Sequence, residues 1–67
     1  MMEVKYPEIE VQLVGESGNA FAIIGRVSKA LKRAGIPKEE IAMFQAEATA
    51  GDYDNVLQTA MRWVEVS

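Results

Sequence analysis

The sequence predicts a small α+β fold in the order β-α-α-α-β, with the two terminal strands paired in a two-stranded sheet that packs on three helices. Apolar and polar residues alternate near both ends of the chain, as they do in half-buried strands. Between the ends, apolar residues recur about every three to four positions, as on one face of a helix. Glycine, proline and short polar residues stand at the boundaries between these patterns, where turns and helix caps are expected. With 67 residues the chain has room for one core, so residues 1–67 are expected to form a single domain.

The first strand is predicted over residues 8–14, where the residue pattern has a period of two. Its inward-facing residues are Ile9, Val11 and Leu13. Pro7 has no N–H group to donate to a sheet and fits just before the strand. Gly15 ends the strand, at the start of a dense cluster of turn residues.

The first helix is predicted to begin at Asn19, a good N-cap residue. At about 100° per residue, its inward positions are Ile23, Ile24, Val27, Ala30, Leu31 and Ala34. Gly35 then supplies the C′ position at which such helices commonly end.

The second helix is predicted to restart with Pro37 near its first position and with Glu39 and Glu40 in its first turn, where the helix dipole favours negative charge. Its core stripe is Ile41, Phe44 and Ala48. Gly51 ends this helix, and Asp52 caps the third. The apolar face of the third helix is predicted to be Tyr53, Val56, Leu57, Ala60 and Met61.

The last strand is predicted over residues 62–66, which are β-branched and aromatic with a period of two. It would lie beside the first strand, in a direction that the sequence leaves open. In a strand, Trp63 faces away from Val64 and Val66, so either Trp63 or the two valines lie outside the main core. If Trp63 lies outside the core, it either covers the open sheet face or anchors an interface. A two-stranded sheet also has two free edges, and a homodimer that shares the sheet is therefore a hypothesis.

Several chemistries are excluded because the chain has neither cysteine nor histidine. Disulfides, thiolate nucleophiles, imidazole catalysis and the commonest metal ligand are absent. The dinucleotide and phosphate-loop glycine motifs are missing, and Glu16 puts negative charge into the turn where a helix N-terminus could hold an anion. Asp52 and Asp54 resemble the start of a calcium loop, but Leu57 replaces its glycine. We expect a non-enzymatic protein without catalytic residues, cofactor or metal.

The surroundings of the protein are predicted from hydropathy and charge. No window approaches the roughly 20 apolar residues that span a bilayer, and the N-terminus has no signal-peptide pattern. A soluble, cytoplasmic protein is expected. The net charge of −3 opposes general attraction to nucleic acid and anionic membranes, so neither is an expected partner.

Two surfaces are candidates for contacts with a partner. Arg26, Lys29 and Arg33 fall on one face of the first helix, opposite its apolar stripe, and could contact a nucleic-acid backbone or an acidic partner. A solvated face is the preferred interpretation, because no aromatic residue stands among these cations. The second helix has another apolar face, which consists of Ala42, Met43, Ala46 and Ala50. That face indicates either a protein contact surface or alanines that serve helix propensity.

Four segments of the chain resemble a family of short uncharacterised bacterial and phage proteins. They are residues 11–15 (VQLVG), 18–21 (GNAF), 51–54 (GDYD) and 62–64 (RWV), and the resemblance extends over about residues 9–66. The family has no assigned activity, cofactor or site residue, so the resemblance implies no mechanism. From the residues we expect a small protein-interaction module, homodimeric through the sheet edge and the second helix, with Met43, Ala46 and Trp63 as contacts. The alternative is a weak binder of nucleic acid or an acidic partner through the basic face.

Overall fold

The computed structural model describes residues 4–13 and 19–67. Its elements are β1 (Tyr6–Val11), α1 (Ala20–Arg33), α2 (Lys38–Ala48), α3 (Tyr53–Trp63) and β2 (Val64–Val66). The predicted α+β class and the order of the elements are confirmed, including the pairing of the two terminal strands. The predicted turn residues 15–18 lie outside the described residues.

The two strands pair in parallel, the direction that the sequence left open. Val11 lies opposite Val66 and Glu10 opposite Glu65, but the register shifts between Glu10 and Tyr6, so that Tyr6 lies opposite Val64. Pro7 lies in this irregular stretch, inside β1, so the prediction that it precedes the strand was wrong. Because proline has no N–H group, it is tolerated where regular pairing is interrupted. Beyond Val11, backbone hydrogen bonds with Ser67 continue the pairing.

The start of α1 is fixed by its cap. The Asn19 side chain accepts hydrogen bonds from the backbone N–H groups of Phe21 and Ala22, at 3.0 and 3.3 Å. The buried residues of the helix are Ile23, Val27 and Leu31, and Ile24 and Ala30 are half-buried. Ala34 was predicted to face inward and is exposed, because it is the C-cap residue, beyond the last turn of the helix.

The end of α1 forms a Schellman motif. Gly35 has a φ of 84°, the left-handed conformation that glycine adopts without a steric penalty. Its N–H group donates to the Lys32 carbonyl, and the N–H group of Ile36 donates to the Leu31 carbonyl, each at 3.0 Å. The predicted role of Gly35 is confirmed.

The second helix matches its predicted start. Pro37 is the N-cap residue, and Glu39 and Glu40 lie in the first turn. Phe44 and Ala48 are buried in the core, while Ile41 is half-buried. The core stripe of α2 is therefore correctly predicted, with its outermost member only partly covered.

The third helix is capped as predicted but faces the core differently. The Asp52 side chain accepts a hydrogen bond from the N–H group of Asn55 at 3.1 Å. The buried residues of α3 are Val56, Thr59, Ala60 and Trp63. This spacing of three and four residues defines one helical face. Tyr53 and Met61, which were predicted on the apolar face, lie beside these buried residues and are 38% and 42% exposed.

Trp63 is the last residue of α3 and not a strand residue, so the predicted strand over residues 62–66 is wrong at its first two positions. The indole is 3% exposed. Its ring centroid lies 5.7 Å from that of Phe44 in an edge-on arrangement and 6.0 Å from that of Tyr6. Its N–H group donates to Glu47 Oε1 at 3.2 Å. Because Trp63 belongs to the helix, it and Val64 are both buried, and the prediction that either Trp63 or the two valines lie outside the main core was wrong.

Candidate functional site

The three predicted anion contacts meet in one open groove between β1 and α1. The residues that line this β1–α1 groove are Glu10, Val11, Gln12, Arg26, Lys29, Ala30 and Arg33, and its volume is about 470 Å³. Glu10 is the one carboxylate among the described residues that line it. The groove thus combines three cations from one helix with a single negative charge from the neighbouring strand.

Within the β1–α1 groove, Arg26 also joins its two walls. Its Nη1 atom donates to the carbonyl oxygen of Gln12 at 3.2 Å, so the arginine holds α1 against the end of the strand. In the part of the chain that the structure describes, neither Lys29 nor Arg33 forms an ion pair. These two cations are therefore available to an anionic group that enters the groove.

A second groove lies on the other side of the basic helix, between α1 and α2. The residues that line this α1–α2 groove are Ser28, Lys29, Lys32, Ile36, Lys38, Ile41, Ala42 and Gln45, and its volume is about 740 Å³. Gln45 Nε2 donates to Ser28 Oγ at 3.0 Å and so links the two helices across it. Sequence patterns missed this groove, because they define the faces of single helices and not the space between two of them.

The second apolar face of α2 points away from the core. Ala42, Met43 and Ala46 are exposed on α2, and Met43 has 49% of its surface accessible. Ala50 was predicted to belong to this face, but α2 ends at Ala48 and not at Gly51, so Ala50 lies beyond the helix. Two of the three predicted protein contacts, Met43 and Ala46, therefore lie together on the solvent side of α2. The third, Trp63, is in the core and has almost no surface to offer a partner.

A polar cluster joins the N-terminal segment to α2 above the buried indole. Lys5 Nζ lies 2.9 Å from Glu40 Oε1, and the Tyr6 hydroxyl donates to the same oxygen at 2.8 Å. The Lys5 ammonium also lies 4.2 Å from the centroid of the Trp63 ring, within the range of a cation–π contact.

The pKa values in this cluster shift in mutually consistent directions. Hydrogen bonds from Lys5 and Tyr6 lower the pKa of the Glu40 carboxyl, and the bonds to Glu40 raise the pKa of both Lys5 and Tyr6. The cluster thus keeps its carboxylate ionised, whereas a general acid at neutral pH needs a raised carboxyl pKa. Its role in the fold is to attach the N-terminal segment to the helices.

Residues 4–13 and 19–67 contain no candidate metal site, because no three acidic side chains lie close together there. Asp52, which could begin a calcium loop, uses its carboxylate to cap α3. None of the helices in the described part of the chain has the length and apolar character needed to cross a bilayer.

The fold and its surfaces define a small α+β protein with two open grooves beside one basic helix. Comparisons with protein-family models, with curated proteins and with solved structures find no match to this chain. The resemblance to short uncharacterised bacterial and phage proteins stays a prediction. Function must therefore be inferred from the grooves and the exposed helix face.

Proposed function

We propose that the chain is a small, non-enzymatic, cytoplasmic protein-interaction module that uses the exposed apolar face of α2 as its contact surface. The observation that supports this proposal is the 49% exposure of Met43 on the same face of α2 as two exposed alanines, Ala42 and Ala46. A surface helix usually exposes polar residues on its solvent side. Methionine has a flexible, polarisable side chain that adapts to partner surfaces, so this face suits protein contact.

The partner in this proposal is a second copy of the chain. A 67-residue chain buries a smaller fraction of its surface than larger domains do, and self-association adds to that burial. Among the described residues the sheet has only two strands, so each strand has an outer edge that a second copy can extend. Phe21 is more exposed than Met43, at 83%. It lies in the first turn of α1 and not on α2, so it does not belong to this contact surface.

The decisive variant is Met43→Glu, which places a charge at the centre of the exposed face of α2. Sedimentation velocity should show a dimer for the wild type at micromolar concentration and a monomer for the variant. Gln58→Glu is the control, because it adds the same charge at an exposed position of α3. A monomeric wild type would refute self-association, and a dimeric Met43→Glu variant would refute the assignment of the surface.

A second candidate function is the capture of an acidic partner in the β1–α1 groove. It is favoured by one observation, that Arg26, Lys29 and Arg33 line the same groove. Binding of polyglutamate should weaken steeply as salt is added, because exposed charges are screened. Arg33→Gln should reduce the affinity, whereas Arg62→Gln on α3 should not.

Two results would count against this second candidate. Equal losses from Arg33→Gln and Arg62→Gln would show that only the total charge matters. If the groove bound an oligonucleotide and not polyglutamate, its ligand would be nucleic acid and not an acidic protein.

A further inference from the structure

We propose that the α1–α2 groove binds an amphipathic helix of a partner protein, with apolar anchor residues on one face and acidic residues on its flanks. The inference rests on the proposal that the chain is an interaction module and adds, beside the second copy, a further partner of stated chemistry. The groove adjoins the exposed face of α2 and shares Ala42 with it, but Met43, at the centre of that face, does not line the groove.

The floor of the groove is apolar and is held in place by the backbone. Ile36 and Ile41 pack against the hydrophobic core but stay half-exposed, and Ala42 is exposed beside them. Ile36 follows directly on the Schellman motif, where its N–H group is bonded to the Leu31 carbonyl. Such a floor exists before any partner arrives, so little conformational entropy is lost on binding.

The rim of the groove is positively charged on both sides. Lys29 and Lys32 extend from α1, and Lys38 from the first position of α2. None of the described residues that line the groove is acidic, and none of the three lysines forms an ion pair with a described carboxylate. Electrostatic complementarity therefore selects a partner with negative charges on both sides of its apolar residues.

The shape of the groove favours a helix over an extended peptide. Its walls are side chains of two helices, whose backbone groups are mostly used in their own hydrogen bonds. An extended segment would find no strand edge here to satisfy its N–H and C=O groups. A helix satisfies these groups internally and presents anchor residues at spacings of three and four, with charged residues beside them. The hydrogen bond from Gln45 to Ser28 ties the two walls of the groove together.

The test uses a synthetic amphipathic peptide of about 16 residues, long enough for measurable helicity. Leucines occupy one face, and glutamates flank them. Calorimetric titration against the full chain should show binding, and amide NMR shifts should map it to Ile36, Ile41 and Ala42. Ala42→Glu should lower the affinity for the peptide about tenfold, because it places a negative charge on the floor of the groove, where it repels the glutamates of the peptide.

Matched variants make the result specific to the groove. Gln58→Glu adds the same negative charge at an exposed position of α3 that lies neither in the groove nor on the exposed face of α2, and should leave the affinity unchanged. The double variant Lys32→Gln, Lys38→Gln should weaken binding about threefold and flatten its dependence on salt. Circular dichroism of each variant should match that of the wild type, because all these positions are exposed.

Several outcomes would overturn the inference. They are no binding by the wild type, an unchanged affinity in Ala42→Glu, and equal binding of a control peptide with alanine in place of leucine. If the double variant Lys32→Gln, Lys38→Gln changed the sedimentation of the protein alone, a second copy would occupy the groove. An unchanged assembly state in Met43→Glu would refute only the proposed α2 surface, because the peptide titration does not involve that side chain.

Discussion

Two glycines of the structure provide a matched pair for a stability prediction. Gly25 lies inside α1 and is exposed, whereas Gly35 ends the helix with a φ of 84°. A Cβ atom added at either position would lie more than 4 Å from the other described parts of the chain, apart from the adjoining residues and the helix's own backbone. Crowding is therefore the same for both, and only the backbone conformation differs. Gly25→Ala should stabilise the fold by about 0.8–1 kcal/mol, the difference in helix propensity. Gly35→Ala should destabilise it by about 1–2 kcal/mol, the steric cost of a left-handed residue with a Cβ atom.

These effects are large for so small a domain. At about 0.05–0.15 kcal/mol per residue, 67 residues give a total stability of roughly 3–10 kcal/mol. Thermal melts should shift by about 4–8 °C per kcal/mol, upward for Gly25→Ala and downward for Gly35→Ala. In urea titrations the midpoint concentration should rise for Gly25→Ala and fall for Gly35→Ala, while the dependence of the free energy of unfolding on urea stays unchanged. Shifts in the same direction would refute the reasoning, because they would mean that backbone conformation does not separate the two sites.

Two further predictions concern the cluster around the buried indole. Hydrogen bonds from Lys5 and Tyr6 lower the pKa of Glu40, so its contribution to stability is complete above its unfolded value of 4.5 and is lost as the pH falls through the folded pKa. Glu40→Gln should therefore reduce the loss of the free energy of unfolding that occurs as the pH falls into the acid range. Urea titrations that show an equally steep loss in the variant and the wild type would contradict this. Phe44→Ala should cost about 3–5 kcal/mol, because it empties a fully buried site against Trp63. An unchanged near-ultraviolet signal of Trp63 together with an unchanged urea midpoint would show that this packing is not required.

The helix boundaries could be predicted from the sequence wherever a cap decides them. Asn19 and Asp52 bond to N–H groups only two or three residues further along the chain, and Gly35 needs only its own backbone angle. Such signals depend on neighbouring residues and are therefore readable without the fold. They correctly predicted both ends of α1 and the start of α3.

The boundary between α3 and β2 could not be predicted in this way. Residues 62–66 alternate as a strand does, yet Trp63 completes the helical face that includes Thr59 and Ala60. Contacts with Phe44 and Tyr6, which are distant in sequence, bury the indole. Tertiary packing thus overrides a short local pattern. A polar residue such as Thr59 gives no sequence signal that it belongs to the core.

The candidate surfaces were predictable to the extent that one helix forms them. Arg26, Lys29 and Arg33 share a face of α1 by periodicity alone, and the structure leaves that face open. The opposing walls of the two grooves come from other elements, such as Gln12 after β1 and Lys38 in α2. Their position depends on how the helices pack, which periodicity does not specify.

The net charge is a poor guide to the partners of this protein, because its charges are segregated. Five of the seven Lys and Arg residues lie in the segment 26–38 and line one or both grooves, namely Arg26, Lys29, Lys32, Arg33 and Lys38. At physiological salt, an exposed charge acts over a Debye length of about 8 Å. The molecule measures 27 × 25 × 22 Å, so an anionic group in a groove responds to these cations far more than to remote carboxylates. The average charge of −3 therefore does not exclude an acidic partner, and the grooves beside α1 favour one.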